Sequence, residues 1–335
     1  VLFLREPRDK TRFDALEMFD VTILNTGLDT SVADAYRKSG LHLRSGVHRV
    51  GMWWWEMEQL PAAWAGRGDE VDEIWAPTRF IATALRAAFT KPVYTMLPGL
   101  ELSPFDPLPK EYFGLSGDRY VFAFVFDMNS RMQRKNPLGL IRAFREAFRR
   151  DEPVDLVIKV SPPESFYKDQ WDELRQAVDA AGVTLIDRVL TRQELLAFLH
   201  AADCYVSLHR SEGFGLTCAE AMLLGKPVVA TAYSGNLDFM NPDNSYLVNY
   251  DRVTLTEDID PYPRGAVWAD PHIDHAAQQM RRVYDQREEA VAKGRQAQAE
   301  VSQLLSLEAA GRRMAERLEA IRRSKMLPNN TLRRK

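Results

Sequence analysis

Apolar and polar positions along this chain fall into blocks of two kinds. Short apolar runs rich in β-branched and aromatic residues occur at DVTILN (Asp20–Asn25), RVGMWWWE (Arg49–Glu56), EIWAP (Glu73–Pro77) and VYTML (Val93–Leu97). Each has the length of a buried strand. Between them, SVADAYRKSG and RFIATALRAAF space their apolar residues three and four apart, as one face of a helix requires. The resulting βαβα rhythm predicts a parallel sheet covered by helices. The stretch PGLELSPFDPLPKEYFGLSG (Pro98–Gly117) then breaks the pattern. Its four clustered prolines fit neither a helix interior nor a central strand, so it reads as a linker. A second series follows. YVFAFVF, DLVIKV, VTLID, CYVSLH and PVVAT read as strands, and PLGLIRAFREAF, DQWDELRQAVDAAG, RQELLAFLHAA and a segment ending at Gly225 as the helices between them. From His275 to Ser324 the pattern is almost entirely helical.

Two α/β domains of Rossmann-like type, joined by a proline-rich hinge, are the simplest architecture for this pattern. In open parallel sheets ligands bind beyond the carboxyl ends of the strands, which puts the expected site in a cleft between the domains. The boundaries read as 1–115 for the first domain, 116–305 for the second, 306–325 for a terminal helix and 326–335 for a basic tail. At 335 residues the chain is long enough for two cores, and 45% hydrophobic with 27% charged residues describes a folded globular protein. A net charge of −3 gives no basic footprint for nucleic acid. The two cysteines, Cys204 and Cys218, stand in apolar surroundings and read as buried, reduced thiols, which suits a cytoplasmic protein. No apolar run is long enough to span a bilayer, so membrane contact is expected to be peripheral at most, at the inner face. The opening VLFLREP lacks an initiator Met and looks like a strand entered partway, which suggests a fragment or a processed start.

The chemistry concentrates in HRSEGFGLTCAEAMLLGKPVVATAYSGNLDFM, His209 to Met240. Strand CYVSLH leads into the loop RSEGFG, and that loop into the helix LTCAEAMLLG. Glycines let backbone approach a ligand, and the helix start offers unpaired N–H groups and a positive dipole end for phosphate. Glu220 falls about one turn into the helix, where a carboxylate suits a ribose diol. Glu212, on the loop, is placed to reach hydroxyls beyond the phosphates. Phosphate, ribose and polyol together describe a nucleotide sugar. Spacing alone does not exclude an ordinary loop before a helix.

The whole string is more specific than its spacing. EGFGLTCAE resembles the Glu-x7-Glu signature of retaining GT-B glycosyltransferases of the family 4 type (glycosyl transferases group 1). The likeness extends through AEAMLLGKPVVAT, SGNLDFM, DEIWAPTRFIATAL and DMNSRMQRKNPLGLIRAF, and covers roughly Val47 to Arg281. At SGNLDFM the broader family more often has a Gly-Gly-x-Pro-Glu loop. The resemblance implies two Rossmann-like domains facing each other across a cleft. It also implies a terminal helix crossing back to the first domain through Leu304, Leu305, Leu307, Met314, Leu318 and Ile321. In activity it implies transfer of a sugar from a nucleotide-diphosphate donor to a glycan or lipid-linked acceptor, as in bacterial surface polysaccharide or glycoconjugate synthesis. No metal or further cofactor is implied.

Residue by residue, Glu212 matches the glutamate that contacts donor-sugar hydroxyls, and Glu220 the one that holds ribose. Gly213, Phe214, Gly215, Leu216 and Thr217 match the loop whose amides meet the diphosphate and sugar. Leu190 falls where backbone holds the base. Lys135 matches the lysine that neutralises the diphosphate. The family's partner arginine stands five residues earlier, where this chain has Ser130, so Arg131 or Arg134 is the candidate replacement. Fixed cations aimed at a leaving diphosphate stabilise the transition state more than the ground state. Against the resemblance, the first domain is short, its first βα unit looks absent, and the glycine-rich turn after the first strand is not found. A GT-B module of a larger enzyme, another GT-B enzyme such as a nucleotide-sugar epimerase, and a non-catalytic binding module remain alternatives.

Further candidates flank this core. In MWWWEME, strand alternation predicts Trp53 and Trp55 on one side and Trp54 on the other, with Glu56 leaving the strand at the cleft. The string is similar to an aromatic-Trp-Glu string in a subgroup of the resembled family, which implies that Glu56, with Trp55 beside it, contacts acceptor or donor sugar, although core packing also explains the tryptophans. His209 is a weaker candidate for sugar or phosphate. Lys159, a charge near the end of a strand, is placed to face the nucleotide. The Asp-x-Asp within EDID (Glu257–Asp260) reads as a solvated loop, not as a metal site.

Overall fold

The computed structural model describes residues 2–5, 15–17, 19–161 and 167–326. Apart from Met326, the expected basic tail lies outside these residues. The chain begins with β1 (Leu2–Arg5), β2 (Ala15–Leu16), β3 (Val21–Asn25), α1 (Val32–Ser39), β4 (Leu41–His42), β5 (His48–Met52), β6 (Glu73–Ala76), α2 (Arg79–Ala88) and β7 (Val93–Thr95). Strands β1, β3, β5, β6 and β7 form one parallel sheet in that order. Helix ends follow local chemistry. Ser31 accepts from the Asp34 N–H to start α1, Gly40 closes it in the left-handed region at φ 70°, and Thr78 caps α2.

After the linker come β8 (Tyr120–Asp127), α3 (Met132–Lys135), α4 (Pro137–Ala147), β9 (Val154–Ser161), α5 (Lys168–Ala181), β10 (Thr184–Ile186), α6 (Arg192–Ala201), β11 (Cys204–Ser207), α7 (Leu216–Leu223), β12 (Val228–Thr231) and β13 (Tyr246–Val248). Their sheet is parallel throughout, in the order β10-β9-β8-β11-β12-β13. Strand order reverses between β8 and β11, so the loops leaving those two strands diverge and open a crevice. Strand β8 is buried from Tyr120 to Phe126, which explains its unbroken apolar run.

Three features depart from the sequence expectation. The strand expected to run from Arg49 to Glu56 ends at Met52, whose pairing with Trp75 is the last of the ladder and is closed by the Trp53 N–H donating to the Trp75 carbonyl. Burial still alternates beyond it, with Trp53 and Trp55 buried and Trp54 exposed. Second, the acidic residues of EDID are exposed, as expected of a solvated loop, but the chain on either side of it is packed. Strands β14 (Tyr250–Thr254) and β15 (Val267–Pro271) form an antiparallel arm. Its loop buries Leu255, Tyr262 and Ala266 against Trp53, Trp55 and Met57 of the first domain, and Trp268 of β15 joins them. Within that loop Asp258 accepts from the Arg264 N–H, and Asp260 pairs with Arg131 at 2.6 Å. Third, the apolar face expected of the terminal helix is divided. Leu305 is buried in the second domain's core, Leu307 is exposed, and only Met314, Leu318 and Ile321 reach the first sheet.

The chain ends in α8 (Ile273–Asp285), α9 (Arg287–Leu304) and α10 (Leu307–Met326). Helix α10 lies against Ile23, Val50, Met52, Trp75 and Met96 through Ile321, with Met314 and Leu318 beside it. Its Arg317 pairs with the buried carboxylate of Glu73 on β6 at 2.6 Å. Both passages between the domains run side by side, with the Leu100 N–H donating to the Leu305 carbonyl at 2.7 Å.

Candidate functional site

The loop between β11 and α7 occupies the crevice at the point of strand reversal. Gly215, at φ 88°, turns the chain into α7 and leaves the helix start without a side-chain cap. The first-turn amides of Leu216, Thr217 and Cys218 thus have no intrahelical acceptor. Space in this loop is set by backbone. A Cβ at Gly235 would sit 1.9 Å from the Gly213 carbonyl oxygen, and one at Gly213 would sit 2.8 Å from that of Trp55. Only glycine fits either position. The first domain holds the same loop from across the cleft. Thr78 Oγ1 donates to the Gly213 carbonyl at 2.9 Å, Ser211 Oγ donates to the Glu56 carbonyl, and Arg79 pairs with Asp238 at 3.1 Å.

Glu212, Lys135 and Arg134 meet as one cluster. Lys135 Nζ contacts Glu212 Oε1, and Arg134 Nη1 stands 3.4 Å from Oε2. Burial alone would raise the Glu212 carboxyl, but the two cations outweigh it and hold it at about 2. Arg134 is itself buried, and its Nη1 donates to the Ser211 carbonyl at 2.8 Å, so it props the loop and does not open onto the cleft. Arg131 is committed elsewhere, to Asp260 and to the Tyr167 hydroxyl. Of the three sequence candidates for diphosphate charge, Lys135 is the one that Glu212 alone occupies.

Glu220 is 1% exposed, in the second turn of α7. Arg192 Nη2 pairs with its Oε1 at 2.5 Å, and no hydrogen bond reaches Oε2. Burial raises its pKa, with Arg192 pulling the other way. A buried carboxylate with an oxygen unserved is costly unless something donates to it. Thr217 accepts from the Tyr205 hydroxyl at 2.7 Å, and Leu216 is exposed at the helix start. Leu190 lies in the connection between β10 and α6, half-buried against the second domain's core. Lys159 is buried at the end of β9 with Nζ donating to Ser161 Oγ at 3.1 Å, and burial lowers its pKa.

His209 is fully buried. Its Nδ1 lies 3.0 Å from Ser207 Oγ and its Nε2 lies 3.1 Å from Asn236 Oδ1 and 3.3 Å from the Tyr233 carbonyl. Burial lowers its pKa, and the ring ties two loops together without facing the cleft.

Across from the glycine loop, Trp54, Glu56, Pro98, Gly99 and Leu100 wall a cavity of about 400 Å³ whose other side is Glu212 to Leu216. The Trp55 ring is taken up by the core, edge-on to Trp64 at 4.8 Å, with its N–H donating to the Gln59 carbonyl. Glu56 keeps a half-exposed place on the wall, 3.5 Å from the Tyr262 hydroxyl. Sequence reasoning missed Trp54, Tyr262 and Arg192. Strand alternation did contain the first, since it put Trp54 on the opposite face from its neighbours. The other two come from distant segments that only the fold brings in. Among the described residues no three His, Cys, Asp or Glu side chains gather as a metal group, and no helix is long and apolar enough to cross a membrane.

Residues 119–260 match the family described as Glycosyl transferases group 1. The D-inositol 3-phosphate glycosyltransferase of Actinosynnema mirum is 33% identical over 180 residues, covering 50% of this chain and 42% of that protein. The trehalose synthase of Rubrobacter xylanophilus is 29% identical over 192 residues, covering 49% and 44%. The chain thus spans less than half the length of these curated relatives. Among solved structures, Anabaena HepE in complex with UDP and glucose superposes with a TM-score of 0.68 at 16% identity, covering 90% of this chain and 78% of that one. Sucrose-phosphate synthase from Thermosynechococcus elongatus gives 0.68 at 16%, covering 90% and 74%. With two parallel Rossmann-like sheets, a cleft between them, and these structural neighbours, the chain has the GT-B fold.

Proposed function

We propose that this chain is a retaining glycosyltransferase, or the GT-B module of a larger one, that takes a sugar from a nucleotide-diphosphate donor. The observation that carries the reading is Glu220, a buried carboxylate one turn into α7 that has Arg192 on Oε1 and no hydrogen bond on Oε2. A ribose diol supplies two O–H donors, one for Oε2 and one to share Oε1 with Arg192. One turn earlier the uncapped start of α7 offers amides to the diphosphate, and Lys135 offers a charge that Glu212 holds in the meantime. The match to glycosyl transferases group 1 over this same domain supports the assignment.

In this reading the bond between the anomeric carbon and the diphosphate oxygen breaks, and the acceptor oxygen bonds to that carbon on the same face. The acceptor proton passes to the departing phosphate oxygen. Lys135 and the α7 amides meet the charge that grows on the leaving group, where electrostatic stabilisation counts most. Glu212, at the sugar end, positions the ring. A glycan or lipid-linked acceptor enters from the first domain's side. The setting is cytoplasmic or at the inner membrane face, in surface polysaccharide or glycoconjugate synthesis.

Calorimetry with UDP, GDP and ADP tests the core of this. Glu220→Ala is expected to weaken the nucleotide that binds by about 1–3 kcal/mol, the worth of hydrogen bonds to a charged group. Nucleotide binding at wild-type strength in that variant would remove the ribose assignment. Transfer is expected to survive EDTA. Complete loss, restored by Mn²⁺, would show that a divalent ion carries the diphosphate charge instead.

A further inference from the structure

The three consecutive tryptophans have different fates. Trp53 and Trp55 are each 3% exposed and belong to the core, whereas Trp54 is 37% exposed on the wall of the cleft. Its ring does not move freely. The indole N–H donates to Asn25 Oδ1 at 3.0 Å, and the ring stands edge-on to Phe214 with centroids 6.4 Å apart and planes at 89°. Asn25 is the last residue of β3, so the platform is anchored to the first sheet. Two carboxylates share its cavity, Glu56 on the same side and Glu212 opposite.

A fixed aromatic face between carboxylates narrows the choice of ligand. Aromatic faces carry negative charge density and favour positively polarised C–H groups. A pyranose presents such C–H groups on one face and O–H donors around its rim, which the carboxylates can accept. A phosphate or nucleoside diphosphate would face repulsion from Glu56, and a lipid chain would desolvate the Glu56 carboxylate, which has only the Tyr262 hydroxyl beside it. We infer that Trp54 is the stacking platform for a neutral saccharide ring of the acceptor, with Glu56 taking its rim hydroxyls. This rests on the cleft being a sugar-transfer site. Trp54 stands on the first domain's wall, anchored to Asn25 of the first sheet and facing the glycine loop assigned to the donor, so the ring it takes is assigned to the acceptor and not to the nucleotide.

Saturation-transfer NMR tests this with three probes: methyl α-D-glucopyranoside, methyl α-D-mannopyranoside and maltose, each added to the protein with UDP, GDP or ADP present. Saturation of ring protons is expected for at least one glycoside. It should fall at least fivefold in Trp54→Ala and largely persist in Trp54→Phe, which keeps an aromatic face. Nucleotide affinity of Trp54→Ala should stay within about twofold of wild type. Equal glycoside saturation in folded Trp54→Ala, or none in wild type with any probe, would overturn the platform. So would a change confined to the affinity for UDP-glucose or GDP-mannose, which would place the donor sugar on Trp54. If wild type binds no nucleotide, the proposed function fails while the glycoside result still decides the platform.

Discussion

Glu73→Ala is expected to destabilise the chain by about 3–5 kcal/mol, the usual cost of leaving one member of a buried ion pair alone. Glu73 lies on β6 with its side chain 2% exposed, and three groups from different elements serve it. Trp75 Nε1 donates at 2.8 Å, Arg317 Nη2 at 2.6 Å, and His48 Nε2 lies 3.2 Å away. Removal would strand the fully buried Trp75 N–H and the Arg317 guanidinium, which otherwise keeps only its place over the Tyr94 ring at 3.7 Å. Burial opposes the Glu73 charge, yet His48, Arg317 and Trp75 hold its pKa at about 2. Because the folded pKa is depressed, this stabilisation is present above the ordinary carboxylate pKa and fades as pH falls from about 4.5 toward 2. Denaturant midpoints of wild type, Glu73→Ala, Arg317→Ala and the double variant would measure it. Hydrogen exchange should show α10 loosening first. A loss below about 1 kcal/mol would mean that Ile321, Leu318 and Met314 alone hold α10 to the first sheet.

Most of the fold was legible because its strands are buried on both faces and its helices are not. The unbroken apolar run at Tyr120–Phe126 and the three-four spacing at Arg79–Ala88 each match one kind of element. The arm was not legible for a physical reason. Leu255, Tyr262, Ala266 and Trp268 are scattered among prolines and charges, with no period to mark them. They are buried only because the first domain offers Trp53, Trp55 and Met57 across the cleft. The end of β5 was hidden in a similar way, since three tryptophans continue an apolar run after the backbone has left the ladder.

At the site, the glutamates and glycines were legible because their demands are local: positive φ at Gly215 and a place near a helix start for Glu220. Partnerships were not. Nothing near Lys135 in the sequence says that it meets Glu212, nor that Arg134 turns inward to the Ser211 carbonyl while Arg131 turns to Asp260. The sequence left Arg131 and Arg134 equivalent, and burial separates them. His209 shows the opposite error, since a histidine beside a catalytic-looking loop invites a ligand role, yet both its nitrogens face protein partners.

Lys135→Ala is expected to lower transfer by roughly 10²–10³-fold, as loss of a preorganised charge at a leaving group does. It should also weaken nucleoside diphosphate. Glu212→Gln is expected to behave differently, because Glu212 occupies Lys135 when no donor is bound. The neutral amide keeps the shape of the side chain and releases the lysine, so nucleoside diphosphate affinity should be unchanged or rise by up to about tenfold. Transfer should still fall by roughly 10²-fold, through loss of the group that positions the donor sugar. Since its two cations hold Glu212 at about 2, a drop in activity between pH 6 and 4 would not report this carboxylate. Some stability should be lost as well, for buried Arg134 gives up its counter-charge while keeping its bond to the Ser211 carbonyl. Calorimetry with nucleoside diphosphate and single-turnover transfer on both variants and their combination separates the roles. If Glu212→Gln weakens diphosphate as much as Lys135→Ala does, Glu212 serves to hold the lysine in place and does not read the sugar.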